Sequence, residues 1–127
     1  MIMNRRTFIL SIGPVAVAGA CVGPVQAHHS FAMFDKSRLV TVKGTLTKLE
    51  WTNPHVYLFV SGKGDDGKAQ EYMVEAGSIN LLSRKGWKVN TVKVGEALSI
   101  SFFPLRDGHP GGLLDSVTLA NGIVMKE

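Results

Sequence analysis

The chain has 127 residues, with 14 Lys and Arg against 10 Asp and Glu, and 45% hydrophobic against 19% charged residues. That length holds one small domain, and that composition is globular rather than disordered. Its single cysteine, Cys21, excludes an intrachain disulfide framework and a cysteine-based zinc site.

Residues 1–27 read as an export signal. Arg5 and Arg6 form a positive start, and Phe8 to Val22 is apolar or small with Ser11 and Pro14 as its only interruptions. Val25-Gln26-Ala27 then offers small or apolar residues where a signal peptidase cuts. The run is too short and too broken by Gly and Pro to span a membrane, so no membrane span is expected. Asn4-Arg5-Arg6-Thr7-Phe8-Ile9-Leu10 fits a twin-arginine signal, although a basic pair occurs in ordinary signals too. The competing processing site is Ala18-Gly19-Ala20-Cys21, a lipoprotein box without its usual Leu, which would leave an acylated Cys21 in a membrane. The expected location is periplasmic or secreted. Cleavage after Ala27 leaves 100 residues with 12 basic side chains (14 less the 2 of the signal) and 10 acidic ones. So balanced a surface carries no nucleic-acid footprint.

Residues 28–37 lack a period and read as an arm, ahead of a β-rich domain over 38–127. Leu39–Trp51 predicts a long first strand. Val40, Val42, Gly44 and Leu46 share one face, but Leu49 and Trp51 take the other parity. Such a slip implies a bulge or bend, and Gly44 is a place for it. Thr52-Asn53-Pro54 turns the chain into a second strand, His55–Ser61, with Val56, Leu58 and Val60 on one face. Residues 62–67 form an exposed connection. In a third strand, Glu71–Ala76, residues Tyr72, Val74 and Ala76 point inward. Ser78 then caps a short helix carrying Ile79, Leu81, Leu82 and Lys85, and Gly86 ends it. A fourth strand spans Ala97–Phe103 with Leu98, Ile100 and Phe102 inward, followed by a breaker-rich loop over Pro104–Gly112. Strands over Leu113–Ala120 and Ile123–Met125 are joined at Asn121-Gly122, a hairpin signal. A bent first strand and a helix between strands three and four predict a small, mainly β, OB-like barrel of five to six strands, closed or partly open. Another small β-barrel or a sandwich with a helical plug is the alternative.

An OB barrel gathers the end of strand one, the start of strand two and the end of strand three at one pole. Glu50, Trp51, Asn53, His55, Tyr57 and Glu75 are therefore candidate ligand-binding residues. The loop after strand four is expected to bring Arg106, Asp107 and His109 to the same mouth. Each has a structural alternative. Trp51 suits a floor cap, Asn53 a turn, His55 a hydrogen-bonded strand start, and Glu75 a solvated or salt-bridged edge. Tyr57 and Phe59 suit packing under the arm.

Cleavage after Ala27 also makes His28 the first residue and His29 the second. An N-terminal histidine chelates Cu(II) through its amine and ring nitrogen, and one more imidazole completes a nitrogen-only set that suits copper. Such "histidine brace" chemistry makes His28, His29 and His55 the candidate metal ligands. His109 is the second choice for the third donor, and Met33 or Met73 would serve as soft ligands. An arm of about ten residues reaches at most roughly 33 Å. Paired histidines at a cleavage site also arise by accident and bind metals adventitiously. No nucleophile elbow, HExxH or phosphate loop is present, and no carboxylate spacing marks an acid/base pair, so the chain leans away from being an enzyme.

His28-His29-Ser30-Phe31, Phe34-Asp35, Gly44, Trp51-Thr52-Asn53-Pro54-His55, Glu75, Leu82, Gly86-Trp87 and Gly95 resemble a family of small exported bacterial proteins, the domain of unknown function DUF6152. The resemblance implies export and a compact single domain, and it carries no catalytic or binding residue with it. The expected function is an exported binding module for copper or a small ligand at the barrel mouth. The alternatives are a structural module that docks on a periplasmic protein partner without metal and, less favoured, a metal-dependent enzyme.

Overall fold

A computed structural model of the chain describes residues 31–127. Residues 1–27, read as an export signal, and His28 and His29 lie outside the described residues, as does Cys21. Strands β1 (Val40–Glu50), β2 (Tyr57–Lys63) and β3 (Ala69–Glu75) come first, then helix α1 (Ile79–Arg84), then β4 (Ala97–Pro104), β5 (Gly111–Leu119) and β6 (Val124–Lys126). No helix among the described residues is long and apolar enough to cross a membrane.

The N-terminal half of β1 pairs antiparallel with β4, and its C-terminal half with β2. The β2–β3 and β4–β5 pairs are also antiparallel. A short parallel ladder, Met73↔Gly111 to Glu75↔Leu113, joins β3 to β5 and shuts the ring. Five strands thus make a closed barrel with OB connections, and β6 adds to β5 outside the ring. Strand alternation explains the core. Val56, Leu58, Val60, Val74, Ala76 and Ile100 are fully buried, and Tyr72, Leu98 and Phe102 nearly so, which are the inward positions read from the sequence.

The parity slip in β1 is a register shift between Leu46↔Val60 and Lys48↔Phe59, which sets the extra residue at Thr47 rather than at Gly44. Gly44 has a different task. It pairs on both sides at once, with Gly62 and Leu98, and a Cβ there would sit 2.2 Å from the Ser61 carbonyl oxygen. β2 and β3 each run two residues further toward their shared connection than the apolar pattern indicates. The last hairpin uses three connecting residues rather than a two-residue Asn-Gly turn. Leu119 N–H bonds the Ile123 carbonyl, Asn121 Oδ1 accepts from Ile123 N–H, and Asn121 keeps a negative φ.

α1 starts where two side chains satisfy its first amides. Ser78 Oγ accepts from Leu81 N–H at 3.2 Å, and Asn53 Oδ1 from Ile79 N–H at 3.1 Å. Leu82 is its one fully buried residue, and Trp87 and Val92 follow it into the core. Trp87 Nε1 donates to the Lys126 carbonyl at 2.9 Å, which ties the helix end to β6.

From Phe31 on, the arm has structure of its own. A 3₁₀ turn at Phe31–Met33 leads to Phe34, which is buried and bridges Leu105 after β4.

Candidate functional site

Cross-strand register sets the first row of the site. Tyr57 on β2 lies between Glu50 of β1 and Glu75 of β3. His55 stands two residues before β2. Its Nδ1 lies 3.3 Å from Glu75 Oε1 and 3.2 Å from the Ala76 carbonyl oxygen. Tyr57 pairs directly across from Glu75 and feels its charge. Burial first, and the Glu75 charge second, raise its pKa above the ordinary tyrosine value. Glu75 thus faces both the imidazole and the phenol.

A cavity of about 370 Å³ opens beside this group. His55, Glu75 and Glu127 supply its charge-bearing groups, and Phe31, Phe34, Pro54, Leu81 and Leu113 its apolar walls. Glu127 reaches the cavity by extending the β6 ladder, its N–H donating to the Asp115 carbonyl at 3.0 Å. Burial pushes its carboxyl from 4.5 up to about 7, and the nearby Glu75 adds to the rise. The Gly77 N–H, Lys85 and His55 pull the other way without cancelling it. Its Oε2 is buried and has no hydrogen-bond partner. One imidazole and two carboxyl groups edged by aromatics favour a cationic guest, because burying a carboxylate is costly unless a donor or a positive charge meets it. No three His, Cys, Asp or Glu side chains among the described residues converge into a group that holds a metal ion by itself.

The other candidate residues take different places. Asn53 caps α1. Trp51 packs against the core rather than lining the cavity. Glu50 is ion-paired with Lys48 on the rim. Phe59 pairs with Met73 on the outer face, with the Lys48 ammonium 5.0 Å from its ring centre. The β4–β5 loop does not bring His109 to His55, contrary to the expectation from barrel geometry. β5 starts opposite Met73, and Met73 N–H donates to the Pro110 carbonyl at 3.3 Å, so this loop hangs short of the Glu75 end of β3. His109 instead pairs with Asp107, Nδ1 to Oδ2 at 3.0 Å. Bonds from the His109 backbone and side chain hold the Asp107 carboxyl below the ordinary aspartate value. His109 lines a separate cavity of about 270 Å³ with Arg38, Lys63 and Tyr72. Arg106 turns to the arm, its Nε donating to the Ala32 carbonyl at 3.0 Å.

Among the cavity-lining residues that the sequence reading did not place at the site are Phe31, Phe34 and Glu127. The arm has no period to show which side it buries. Glu127 is reachable by register, since the final hairpin sets it opposite Asp115, two residues past the Leu113 that pairs with Glu75. That count needs the β3–β5 contact, which no local signal announces.

No curated protein and no solved structure matches the chain. The model described as "Family of unknown function (DUF6152)" matches residues 16–115, a span that holds every position that carried the motif resemblance, and the chain belongs to that family.

Proposed function

We propose that this chain is exported, is trimmed after Ala27, and serves in the periplasm as a binding module for copper(II) at the His55 cavity. The observation that carries the reading is that Phe31 and His55 line one cavity. His28 precedes Phe31 by three residues, so its Cα lies within roughly 11 Å of that of Phe31 by chain length alone. A free His28 would supply an amine and an imidazole nitrogen, with His29 beside it, and His55 would complete the nitrogen set. The surroundings of His55 support its part. With Glu75 and the Ala76 carbonyl beside Nδ1, the tautomer protonated there makes Nε2 the ligating atom, the usual outer-sphere support of a metal-bound histidine. Glu75 and Glu127 would offset the positive charge of the ion.

A small organic cation is the second reading. It is favoured by the aromatic side chains of Phe31 and Phe34 in the same cavity as the two carboxylates.

The test begins with N-terminal sequencing of untagged exported protein, which is expected to start at His28. Titration with Cu(II) then gives one-to-one binding, lost in His28→Ala and weakened about 10- to 100-fold in His55→Ala. Equal copper affinity in all three proteins rejects the copper reading. A bound small molecule in metal-free protein, identified by native mass spectrometry, supports the second.

A further inference from the structure

We infer that Arg106 is a positioning residue, which fixes the aromatic wall of the His55 cavity by holding the arm from the opposite side. The inference rests on that cavity being the binding site. Phe31 and Phe34 both face the cavity, but they are secured differently. Phe34 is 4% exposed and is held by burial. Phe31 is 68% exposed, so little apolar burial fixes it. Its place depends on what grips the backbone beside it.

Arg106 grips two successive carbonyls of that turn. Its backbone N–H donates to Met33 at 2.9 Å, and its side-chain Nε donates to Ala32 at 3.0 Å. The backbone bond survives any substitution except proline. The side-chain bond is lost when the guanidinium is removed, and it falls on the residue directly after Phe31. The Lys36 ammonium, 4.6 Å from the Phe31 ring centre and 5.7 Å from that of Phe103, steadies the ring from its own side. Arg106→Ala therefore loosens Phe31 and leaves Phe34 seated, because the Asp35 N–H keeps its 2.8 Å bond to the Pro104 carbonyl.

Two measurements on the mature protein test this. The first is amide hydrogen exchange without metal. In Arg106→Ala the Phe34 N–H, bonded to the Phe31 carbonyl at 3.2 Å, exchanges about tenfold faster, while the Asp35 N–H and the melting temperature stay as they were. The second is Cu(II) titration, in which the same variant raises Kd about three- to tenfold and Arg106→Lys recovers part of the loss. An unchanged Phe34 amide overturns the clamp. A faster amide with unchanged copper affinity overturns its role in positioning. Wild-type protein that takes up no copper refutes the proposed guest instead, and exchange still decides the clamp.

Discussion

The barrel is closed at its seam by backbone against backbone and finished at its mouth by side chain against side chain. At the seam β5 begins beside β3 so tightly that a Cβ on Gly111 would lie 2.0 Å from the Met73 carbonyl oxygen, at a φ of +132° that other residues avoid. At the mouth, His55, Glu75 and Glu127 face one cavity through side chains that can rotate. The seam therefore has almost one solution, whereas the mouth can change its contents while the fold persists.

The comparison breaks most visibly at the seam. Gly111→Ala forces either the β3–β5 ladder apart or the residue out of its conformation, and it is expected to cost about 2–4 kcal/mol. Chemical denaturation of the metal-free protein measures that loss, and a cost below about 1 kcal/mol would show that the seam has slack. Phe34→Ala is the intermediate case. Phe34 is buried, yet it stands outside the main core cluster, so its removal frees the arm without opening the barrel. The expected cost is about 1.5–3 kcal/mol, with the barrel amides still slow to exchange and the cavity open along one wall. Fast exchange throughout the barrel would place the arm in the frame rather than at the mouth.

The same division governs what the sequence discloses. Strand alternation is a local signal of period two, so the inward faces of β2, β3 and β4 are readable residue by residue, as is the Ser78 cap. The slip in β1 is readable as a slip, but its position is not. Gly44 looks like the bend, yet the register moves at Thr47, because Gly44 answers to the approach of the Ser61 carbonyl and not to the bulge. The meeting of His55 with Glu75 follows from hairpin register and was open to inference. Two things were not. The offset at which β5 joins β3 decides that His109 lies at another cavity, and it is fixed by one long-range ladder. The arm's place against Leu105 and Arg106 depends on main-chain carbonyls, which every residue type carries alike.

The smallest expected effect is electrostatic and belongs to the mouth alone. Glu127 has its carboxyl raised from 4.5 to about 7, mainly by burial, with Glu75 adding to the rise and the Gly77 N–H, Lys85 and His55 opposing it. Below about pH 4.5 the carboxyl is protonated in both folded and unfolded chains, and it costs the fold nothing. As pH rises from there to about 7 the unfolded chain releases this proton and the folded chain keeps it, so stability is lost across that window and levels off above it. The carboxyl is only partly buried, so solvent screening cuts the loss to about 1 kcal/mol. Metal-free wild type and Glu127→Gln, unfolded by denaturant at pH 4.5 and pH 8, isolate this group, because the two proteins differ at it alone. The variant should gain on the wild type by about that amount at the higher pH. Parallel pH profiles for the two would mean that the buried carboxylate has found a counter-charge in the folded chain, and the case for a cation at this mouth would weaken with it.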